Sequence, residues 1–348
     1  MKMKMKMKMK KLIRVAAAIL SCAFVIMAAG CAKTGKTAEG DAASKSDPSK
    51  KYSIGIIQYV DHVALNAARE GFIDALKDNG YVDGENIAID YQNAQGDQSN
   101  LSTISDRFIA NKVDLVLAIA TPAAQAIAGK TTEIPILGTA ITDYVAAKLV
   151  NSNEEPGGNV TGTTDMNPVK EQIDLLVKLV PDAETVGVLY TSNEDNSIVQ
   201  AKLAKEAVEN LGLNYVEVTV SNSNEVQQAT QDIVEKCDAI YIPTDNIFAS
   251  SMPLVHGVTS VSKTPVICGE SGMVSNGGLA TLGINYYDLG YQTGLMAIKI
   301  LKGEAKPATM PIESATKFDY AINGAVADEI GIEIPEDLKQ YVIEGNAN

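Results

Sequence analysis

Apolar and polar positions follow one another along this chain in an order that occurs twice. Residues 53–57 form a short apolar run, residues 58–62 form a polar turn, and apolar residues then recur at helical spacing up to Gly80. Residues 186–212 repeat the same order and end on Gly212. A short apolar run followed by a helical period is typical of a β-strand that leads into a helix beside a parallel sheet. Two such units predict two α/β lobes.

Strand and helix patterns alternate from residue 52 to the end of the chain. We predict strands at 53–57, 86–91, 114–119, 134–138, 159–163, 185–190, 214–219, 238–242, 265–268 and 318–322, with a further apolar run at 279–284. We predict helices at 64–78, 98–111, 122–129, 168–180, 196–211, 224–236, 247–262, 286–301 and 325–330, and a last helix that begins at Pro335. The chain has 348 residues, and beyond roughly 250–300 residues a single core usually gives way to two domains. The length therefore agrees with two lobes.

Short polar and acidic side chains follow nearly every predicted strand. In open parallel sheets, ligands bind beyond the carboxyl ends of the strands, so two facing lobes would place these side chains on either side of one cleft. The candidate ligand-binding residues are Gln58, Asp61, His62, Thr121, Thr139, Asp143, Ser192, Asn193, Thr244, Asp245 and Glu270. The alternative is that each of them caps a helix, because Ser, Thr, Asp and Asn are the preferred N-cap residues.

The set as a whole favours a zwitterionic ligand such as an amino acid. Helix N-termini attract carboxylates, and unpaired carboxylates attract ammonium groups. We expect Asp245, with Asp143 or Glu270 near it, to pair with the ammonium group of the ligand. The residues expected to bind the ligand carboxylate are Thr121, at the start of a helix in one lobe, and Ser192 with Asn193 in the other.

The charge of the chain excludes two classes of partner. The chain carries 29 basic and 43 acidic residues, a net charge of −14. Residues 1–30 hold seven of the basic residues and none of the acidic ones, so the remainder carries 22 basic and 43 acidic residues, a net charge of −21. A body this acidic repels nucleic-acid phosphates and anionic lipid. We therefore predict that it binds neither nucleic acid nor a membrane surface directly.

Residues 1–30 have the features of a signal peptide. A basic start precedes the apolar residues 15–27, and the small residues 28–30 lead to Cys31. This apolar run is too short to span a bilayer comfortably, which takes about 20 residues. The pattern resembles a bacterial lipoprotein signal, which implies cleavage before Cys31 and a diacylglyceryl anchor on its sulfur; an ordinary cleaved secretory signal is the alternative. Residues 31–51 have no apolar periodicity and predict a flexible tether.

The chain lacks the residue clusters of common catalytic and metal sites. It has two histidines, His62 and His256, and no HExxH, CxxC or GxSxG pattern. Nucleophilic and metal-dependent enzymes need such clusters, so we predict no enzyme activity, no cofactor and no metal.

The cysteines predict an exported body without a disulfide. Cys22 lies in the signal and Cys31 follows it, which leaves Cys237 and Cys268. These two stand at opposite ends of neighbouring predicted strands, farther apart than the Cα separation of about 7 Å that a disulfide tolerates. We predict two free thiols.

Several segments of the chain resemble a known family. They are Ile56–His62, Ala120–Gln125, Asn159–Thr163, Tyr241–Asn246 and Gly283–Gly290. In this order they resemble the substrate-binding proteins of ABC transporters of the tryptophan/tyrosine type, and the likeness covers roughly residues 52–340.

The resemblance implies a type I periplasmic-binding-protein fold. This is an α/β architecture with two Rossmann-like lobes, parallel sheets and three crossings between the lobes, which close on the ligand by hinge motion. The crossings would fall near 160–165, 278–284 and 305–317. The N-terminal lobe would then comprise residues 52–160 and 283–308, and the C-terminal lobe residues 161–282 and 309–345.

The implied function is solute capture for an ABC importer. The mature protein would be a monomer, anchored through Cys31 to the extracytoplasmic face of the cell membrane, that delivers a small solute to permease subunits. An aromatic amino acid such as tryptophan or tyrosine is the first-choice ligand, because tyrosines near the strand ends could stack on its ring. These tyrosines are Tyr59, Tyr144, Tyr190, Tyr286 and Tyr287. The alternatives are a branched-chain amino acid, a nucleoside or a sugar, or a ligand sensor rather than a transporter component.

Overall fold

The computed structural model describes residues 51–315 and 317–343. The predicted signal peptide, the lipidation site Cys31 and all but the last residue of the predicted tether lie outside the described residues. Within them, no helix is long and apolar enough to cross a membrane.

The first lobe is built on a six-stranded sheet in the order β11-β5-β4-β3-β1-β2. Its strands are β1 (Tyr52–Gln58), β2 (Ile87–Asn93), β3 (Leu115–Ile119), β4 (Ile136–Ile141), β5 (Val160–Thr164) and β11 (Glu313–Ser314). All neighbouring pairs in this sheet are parallel, so the carboxyl ends of the strands meet at one edge. The apolar run of β1 is fully buried, as its pattern predicts, in Ile54, Ile56 and Ile57.

The second lobe is built on a seven-stranded sheet in the order β13-β12-β10-β9-β8-β6-β7. Its strands are β6 (Thr185–Thr191), β7 (Asn214–Val220), β8 (Ala239–Ile242), β9 (Val266–Cys268), β10 (Ala280–Gly283), β12 (Asp319–Asn323) and β13 (Val342–Ile343). Only the pairing of β10 with β12 is antiparallel. The two lobes with parallel-dominated sheets confirm the predicted fold class.

The helices divide between the two lobes. The helices associated with the first lobe are α1 (Val63–Asp78), α2 (Gln98–Asn111), α3 (Thr121–Ala128) and α10 (Tyr286–Leu301). Those of the second lobe are α4 (Val169–Leu179), α5 (Asp195–Asn210), α6 (Val226–Val234), α7 (Asn246–Ser250), α8 (Met252–Ser262), α9 (Ser271–Ser275) and α11 (Gly324–Ile330). Short 3₁₀ segments lie at Ser223–Glu225, Pro307–Thr309 and Glu336–Tyr341.

The structure differs from the predicted elements in three places. The helix predicted at 247–262 is two helices, α7 and α8, because Pro253 lies in the first turn of α8, where its missing N–H costs no hydrogen bond. The helix predicted to begin at Pro335 is a 3₁₀ helix. The lobe boundary predicted at 160/161 falls inside β5, which pairs with β4 and belongs to the first sheet.

Two helices of the first lobe are held together by direct backbone contact. Gly290 on α10 faces α1 so closely that a Cβ atom at this position would lie 1.9 Å from the Ala68 carbonyl oxygen. A Cβ atom on Gly71 would lie 2.0 Å from the Tyr287 carbonyl oxygen, and one on Gly294 would lie 2.6 Å from the Ala75 Cβ. Glycine is therefore required for this close approach, and α1 and α10 form one rigid pair.

Both cysteines of the described residues are free. Cys237 is partly buried and Cys268 is fully buried. The prediction of two free thiols in the folded body is confirmed.

Candidate functional site

A small cavity lies where the carboxyl ends of the two sheets face each other. Its free volume is about 10 Å³, about the room that one water molecule needs. The first lobe lines it with His62, Leu65, Ala140, Thr142, Asp165 and Tyr286, and the second lobe with Asn196, Thr244, Asp245, Asn246, Ala249 and Glu270. Each lobe thus supplies half of the wall.

Four of the residues that the sequence proposed as ligand-binding line this cavity. His62 comes from the first lobe, and Thr244, Asp245 and Glu270 come from the second. Each lies within four residues of the end of a strand, which is the position that the pattern of polar strand ends predicted.

Three further proposed residues are buried away from the cavity. The Gln58 side chain donates to Asn66 Oδ1 at 2.7 Å and accepts from Arg69 at 2.7 Å, so it organises the start of α1. The Thr139 hydroxyl lies 3.3 Å from that of Thr163, between β4 and β5. The Thr121 hydroxyl is buried at the start of α3 without a hydrogen-bond partner.

The remaining four proposed residues serve turns at the surface. Asp61 is exposed, and Asp143 accepts from two backbone N–H groups of its own turn at 2.9 Å. Ser192 and Asn193 are exposed and donate to the carbonyls of Val220, at the end of β7, and Ser221, just after it. For these residues the local hydrogen bonds that the capping alternative describes account for the polar side chain.

Asp245 lines the cavity, but its carboxylate is fully used within the second lobe. One oxygen accepts from the Phe248 N–H at 2.9 Å and the Thr191 hydroxyl at 2.8 Å. The other accepts from the Thr191 N–H at 2.6 Å and the Ser197 hydroxyl at 2.7 Å. Four donors satisfy a carboxylate, so Asp245 holds α7 and α5 on the sheet. We correct the expectation that it is the free partner of a ligand ammonium group.

Asp165 is the carboxylate that can accept further hydrogen bonds. It follows β5, is 4 % exposed, and accepts from the Thr142 hydroxyl at 3.0 Å and the Tyr286 hydroxyl at 2.8 Å. Burial raises the pKa of Asp165, and the two hydroxyl donors offset part of that shift. Both of its partners are neutral, so the negative charge has no counter-ion.

Glu270 lies at the same end of the cavity as Asp165. Both of its oxygens accept N–H groups of the first turn of α9, so it caps that helix. Burial raises the pKa of Glu270 to about 7, and the nearby charge of Asp165 adds to the shift. Two carboxylates therefore face one end of the cavity.

A second acidic group, Glu194, is hydrogen-bonded to the lining residues Asn196 and Asn246. Burial, with the charge of Asp245 beside it, raises the pKa of Glu194. Its Oε2 accepts from Asn196 at 3.0 Å and from the Asn246 side chain at 2.6 Å, whereas Oε1 is buried without a partner.

In the part of the chain that the structure describes, no ion pair of a lysine or arginine with these acids is seen. Among residues 51–315 and 317–343, the ion pairs of Lys and Arg all involve other carboxylates. The buried carboxylates around the cavity are Asp165, Glu194, Asp245 and Glu270. Buried charge without a counter-ion is costly, and a cationic ligand group would relieve that cost.

His62 contributes a neutral imidazole to the wall. Its Nε2 lies 3.3 Å from Asn246 Oδ1, and its Nδ1 is buried without a partner. Burial lowers the pKa of His62 to about 4, so the ring carries one proton at neutral pH.

The apolar part of the wall is small. Leu65, Ala140 and Ala249 contribute it together with the ring of Tyr286. Of the five tyrosines considered for stacking, Tyr286 is the one that lines the cavity. The others hydrogen-bond elsewhere or lie in the core: Tyr59, Tyr144, Tyr190 and Tyr287.

Three hydrogen bonds join the lobes, and one of them runs from Gln200 on α5 to the Thr142 hydroxyl at 3.4 Å. Gln125 on α3 donates to Asp195 on α5 at 2.8 Å, and His62 meets Asn246 as described. The lobes are therefore in contact across the cleft. In the described part of the chain, no group of three or more His, Cys, Asp or Glu side chains is arranged to hold a metal ion.

Sequence reasoning missed several lining residues. Asp165 follows a strand directly and carried the same signal as the residues that were proposed. Asn196 ends the polar turn after β6, and Asn246 follows Asp245. No sequence pattern marked the apolar lining residues Leu65, Ala140 and Ala249 as ligand-binding, because apolar residues are assigned to the core.

Comparison with known proteins places this geometry in context. The family model described as ABC transporter substrate binding protein matches residues 53–345. A protein of Clostridioides difficile (strain R20291) named tyrosine-binding protein is 42% identical over 299 residues, which are 86% of this chain and 86% of that protein.

Two solved structures are similar over most of the chain. A domain from Streptococcus pneumonia in complex with L-Trp is 40% identical, with a TM-score of 0.82 over 84% of this chain and 100% of that one. A ligand-free, open substrate-binding protein with adhesive properties from Clostridium difficile is 45% identical, with a TM-score of 0.65 over 85% of this chain and 100% of that one. The chain is thus nearer in shape to the ligand-bound relative than to the open one, although its identity to the open one is higher.

Proposed function

Since the chain belongs to the ABC transporter substrate-binding protein family, we propose that it captures an aromatic amino acid such as tyrosine or tryptophan in the cavity between its lobes. It is a solute-binding component that lies outside the cytoplasm, and it is not an enzyme. Its partners are a small molecule and a transporter. The family resemblance found in the sequence is confirmed.

The observation that carries the proposal is the uncompensated charge of Asp165. This buried carboxylate lines the cavity, has two neutral hydroxyl partners and has Glu270 beside it. A primary ammonium group supplies both the charge and the three donors that such a site lacks. We place the ligand ammonium at Asp165 and not at Asp245, whose oxygens are occupied.

The aromatic class rests on the relatives and on the shape of the wall. The relative named tyrosine-binding protein and the relative solved in complex with L-Trp are both about 40% identical to this chain. Here the small side chains of Ala140 and Ala249 lie in the wall with Leu65 and Tyr286, and a flat ring would enter between them as the lobes move apart. Offset or edge-to-face contact with Tyr286 would add about 0.5–1.5 kcal/mol.

Thr121 does not line the cavity, but we keep it as the candidate for the ligand carboxylate in the first lobe. Thr121 has a buried hydroxyl without a partner and stands in the first turn of α3, where backbone N–H groups are free. Its strand, β3, is the neighbour of β4, which delivers Ala140 and Thr142 to the cavity. Ser192 and Asn193 have no part in this arrangement.

A thermal-shift screen of the 20 amino acids with nucleosides and sugars tests the ligand class. A ligand at 100 times its Kd stabilises the fold by about 2.7 kcal/mol. We expect tyrosine or tryptophan to raise the Tm, and isothermal titration calorimetry then gives the affinity. If tyrosine, tryptophan and phenylalanine leave the Tm unchanged while a branched-chain amino acid, nucleoside or sugar raises it, the aromatic class is wrong.

Ligand binding is expected to weaken in mild acid. The pKa of Glu270 is raised to about 7 by burial, and that of Asp165 is raised by the same cause. A bound ammonium group favours the ionised carboxylates, so affinity is complete above pH 7 and is lost as the pH falls through it. We expect Kd to rise about tenfold from pH 8 to pH 6. His62, with a pKa of about 4, stays neutral over this range.

Calorimetry at pH 6, 7 and 8, in two buffers of different ionisation enthalpy, measures both the affinity and the protons released. Because the ligand favours the ionised carboxylates, we expect binding near pH 7 to release protons. A Kd that is constant over this range, without proton release, would contradict the placement of the ammonium at Asp165 and Glu270.

The attachment of the protein to its membrane is part of the same proposal. The lipoprotein-like signal that leads to Cys31 supports a lipid anchor on the extracytoplasmic face. The cavity is built by one chain and needs no second copy, which supports a monomer. Mass spectrometry of the mature N-terminus in membrane fractions and gel filtration of the body test these two points.

A further inference from the structure

The first turns of α1 and α9 meet beside the cavity. α1 begins at Val63 in the first lobe, and α9 begins at Ser271 in the second. A Cβ atom on Gly272 would lie 2.8 Å from the Val63 Cβ. Carbon atoms that are not bonded to each other settle at about 3.5–4.0 Å. The two helices can therefore approach this closely only because position 272 carries no side chain.

This contact lies next to the hinge. A pocket with about 300 Å³ of free volume has Val63 and Gly272 in its wall, together with residues 283–286 and 319–321. Residues 283–286 lead from β10 in the second sheet to α10 in the first lobe, and residues 319–321 begin β12 after the chain returns from β11. The pocket separates the contact from these two crossings, so on this side of the cavity the lobes touch at Val63 and Gly272 without being packed together up to the hinge.

Space, and not backbone conformation, explains the glycine. Gly272 has no left-handed φ, and alanine is the better helix former. The Val63 Cβ is fixed to the backbone of α1, so it cannot turn away as the end of a long side chain can. The Glu270 carboxylate would lie 2.8 Å from the added Cβ, but the N–H groups of Gly272 and Met273 hold its oxygens in place. Relief of the clash requires α1 and α9, and with them the lobes, to separate.

We propose that Val63 and Gly272 form a stop that sets how far the lobes close. Gly272 is then a positioning residue for Glu270, which caps the same turn of α9 and lines the cavity. With no side chain at position 272, closure brings Glu270 into one cavity with Asp165 of the first lobe, whereas a side chain there would halt the lobes earlier. The inference rests on the proposed function in one respect, because it takes closure as the step that holds the solute.

The test uses Gly272→Ala in the full chain, with L-tyrosine as the probe. The added methyl group meets Val63 only when the lobes meet, so the association rate is expected to stay within about twofold of the unmodified protein. The dissociation rate, and with it Kd, is expected to rise at least about tenfold. Stopped-flow kinetics and calorimetry measure these values. Small-angle X-ray scattering at saturating L-tyrosine is expected to give the variant a larger radius of gyration than the unmodified protein.

Removal of the opposing Cβ is expected to rescue the variant. Gly272→Ala combined with Val63→Gly has one Cβ at the contact, as the unmodified chain has, so its Kd should return to within about threefold and its radius of gyration should fall. Gly272→Ala combined with Val63→Ala keeps both Cβ atoms and should stay impaired. The control Gly257→Ala adds a methyl group to α8 of the same lobe, where no atom lies within 4 Å, and should match the unmodified protein in both measurements.

The rescue separates the stop from an effect of the methyl group on Glu270 alone. If the methyl group acts by displacing the Glu270 carboxylate, Val63→Gly does not restore binding and the stop is overturned. The stop is also overturned if Gly272→Ala binds and scatters as the unmodified protein does. If L-tyrosine does not bind the unmodified protein, the proposed ligand class fails, and scattering of the ligand-free proteins decides the stop. A larger radius of gyration for Gly272→Ala that Val63→Gly reverses supports it, and equal radii overturn it.

Discussion

Replacing Asp165 with asparagine is expected to weaken amino-acid binding by about 2–4 kcal/mol, roughly 30- to 1,000-fold in Kd, while the Tm stays the same or rises. The substitution keeps the size of the side chain and removes its charge. The ligand ammonium then loses its counter-ion. The empty protein loses a buried carboxylate that has hydroxyl partners only, and this burial costs stability. Affinity and stability should therefore move in opposite directions.

Calorimetry and thermal unfolding on Asp165→Asn and Asp143→Asn check this result. Asp143 is a matched aspartate that accepts two backbone N–H groups in a surface turn outside the cavity. Its variant should bind ligand as the unmodified protein does and melt slightly lower. The opposite result, with Asp143→Asn impaired in binding and Asp165→Asn unaffected, would restore the expectation drawn from the sequence.

Gly290→Ala is expected to cause the largest loss of stability of the substitutions considered. The added Cβ would lie 1.9 Å from the Ala68 carbonyl oxygen, and both groups belong to helix backbone, so α1 and α10 must separate. Overpacking of this kind costs about 3 kcal/mol. Because α10 begins at Tyr286, which lines the cavity, ligand affinity should fall as well.

Gly257→Ala is the matched control for this effect. Gly257 lies within α8 and has no atom within 4 Å of an added Cβ. Alanine exceeds glycine in helix propensity by about 1 kcal/mol, so this variant should be neutral or more stable. Chemical denaturation of both variants gives the two free energies of unfolding. Equal stability of Gly290→Ala and the unmodified protein would show that the helices separate without cost.

The strands and helices were predictable from the sequence, because their buried positions recur at the period of the element and are occupied by apolar residues. The buried run of β1 and the helical spacing of Leu65, Phe72 and Leu76 on α1 follow from which positions face the core. The split between α7 and α8 was missed, since the apolar pattern continues through Pro253 and only the missing N–H interrupts the helix.

The site was less predictable, because a polar residue after a strand either caps a helix or faces a ligand. Asp245 and Asp165 both lie within three residues of the end of a strand, and the sequence does not distinguish them. The difference lies in how many donors surround each carboxylate, four for Asp245 and two for Asp165. Those donors include Thr191, Ser197 and Tyr286, which are distant in the sequence.

The rigid contact of α1 with α10 has a consequence for the order of events during capture. Because His62 and Tyr286 begin helices of one interlocked pair, opening the cleft leaves them with Asp165 on one side and carries Asn196 away on the other. An incoming solute thus forms its encounter complex on the half that attracts its amine, and the opposite half engages only as the cleft shuts. Substitution of Asp165 is therefore expected to change the association rate, and substitutions in the second-lobe half of the wall are expected to change the dissociation rate.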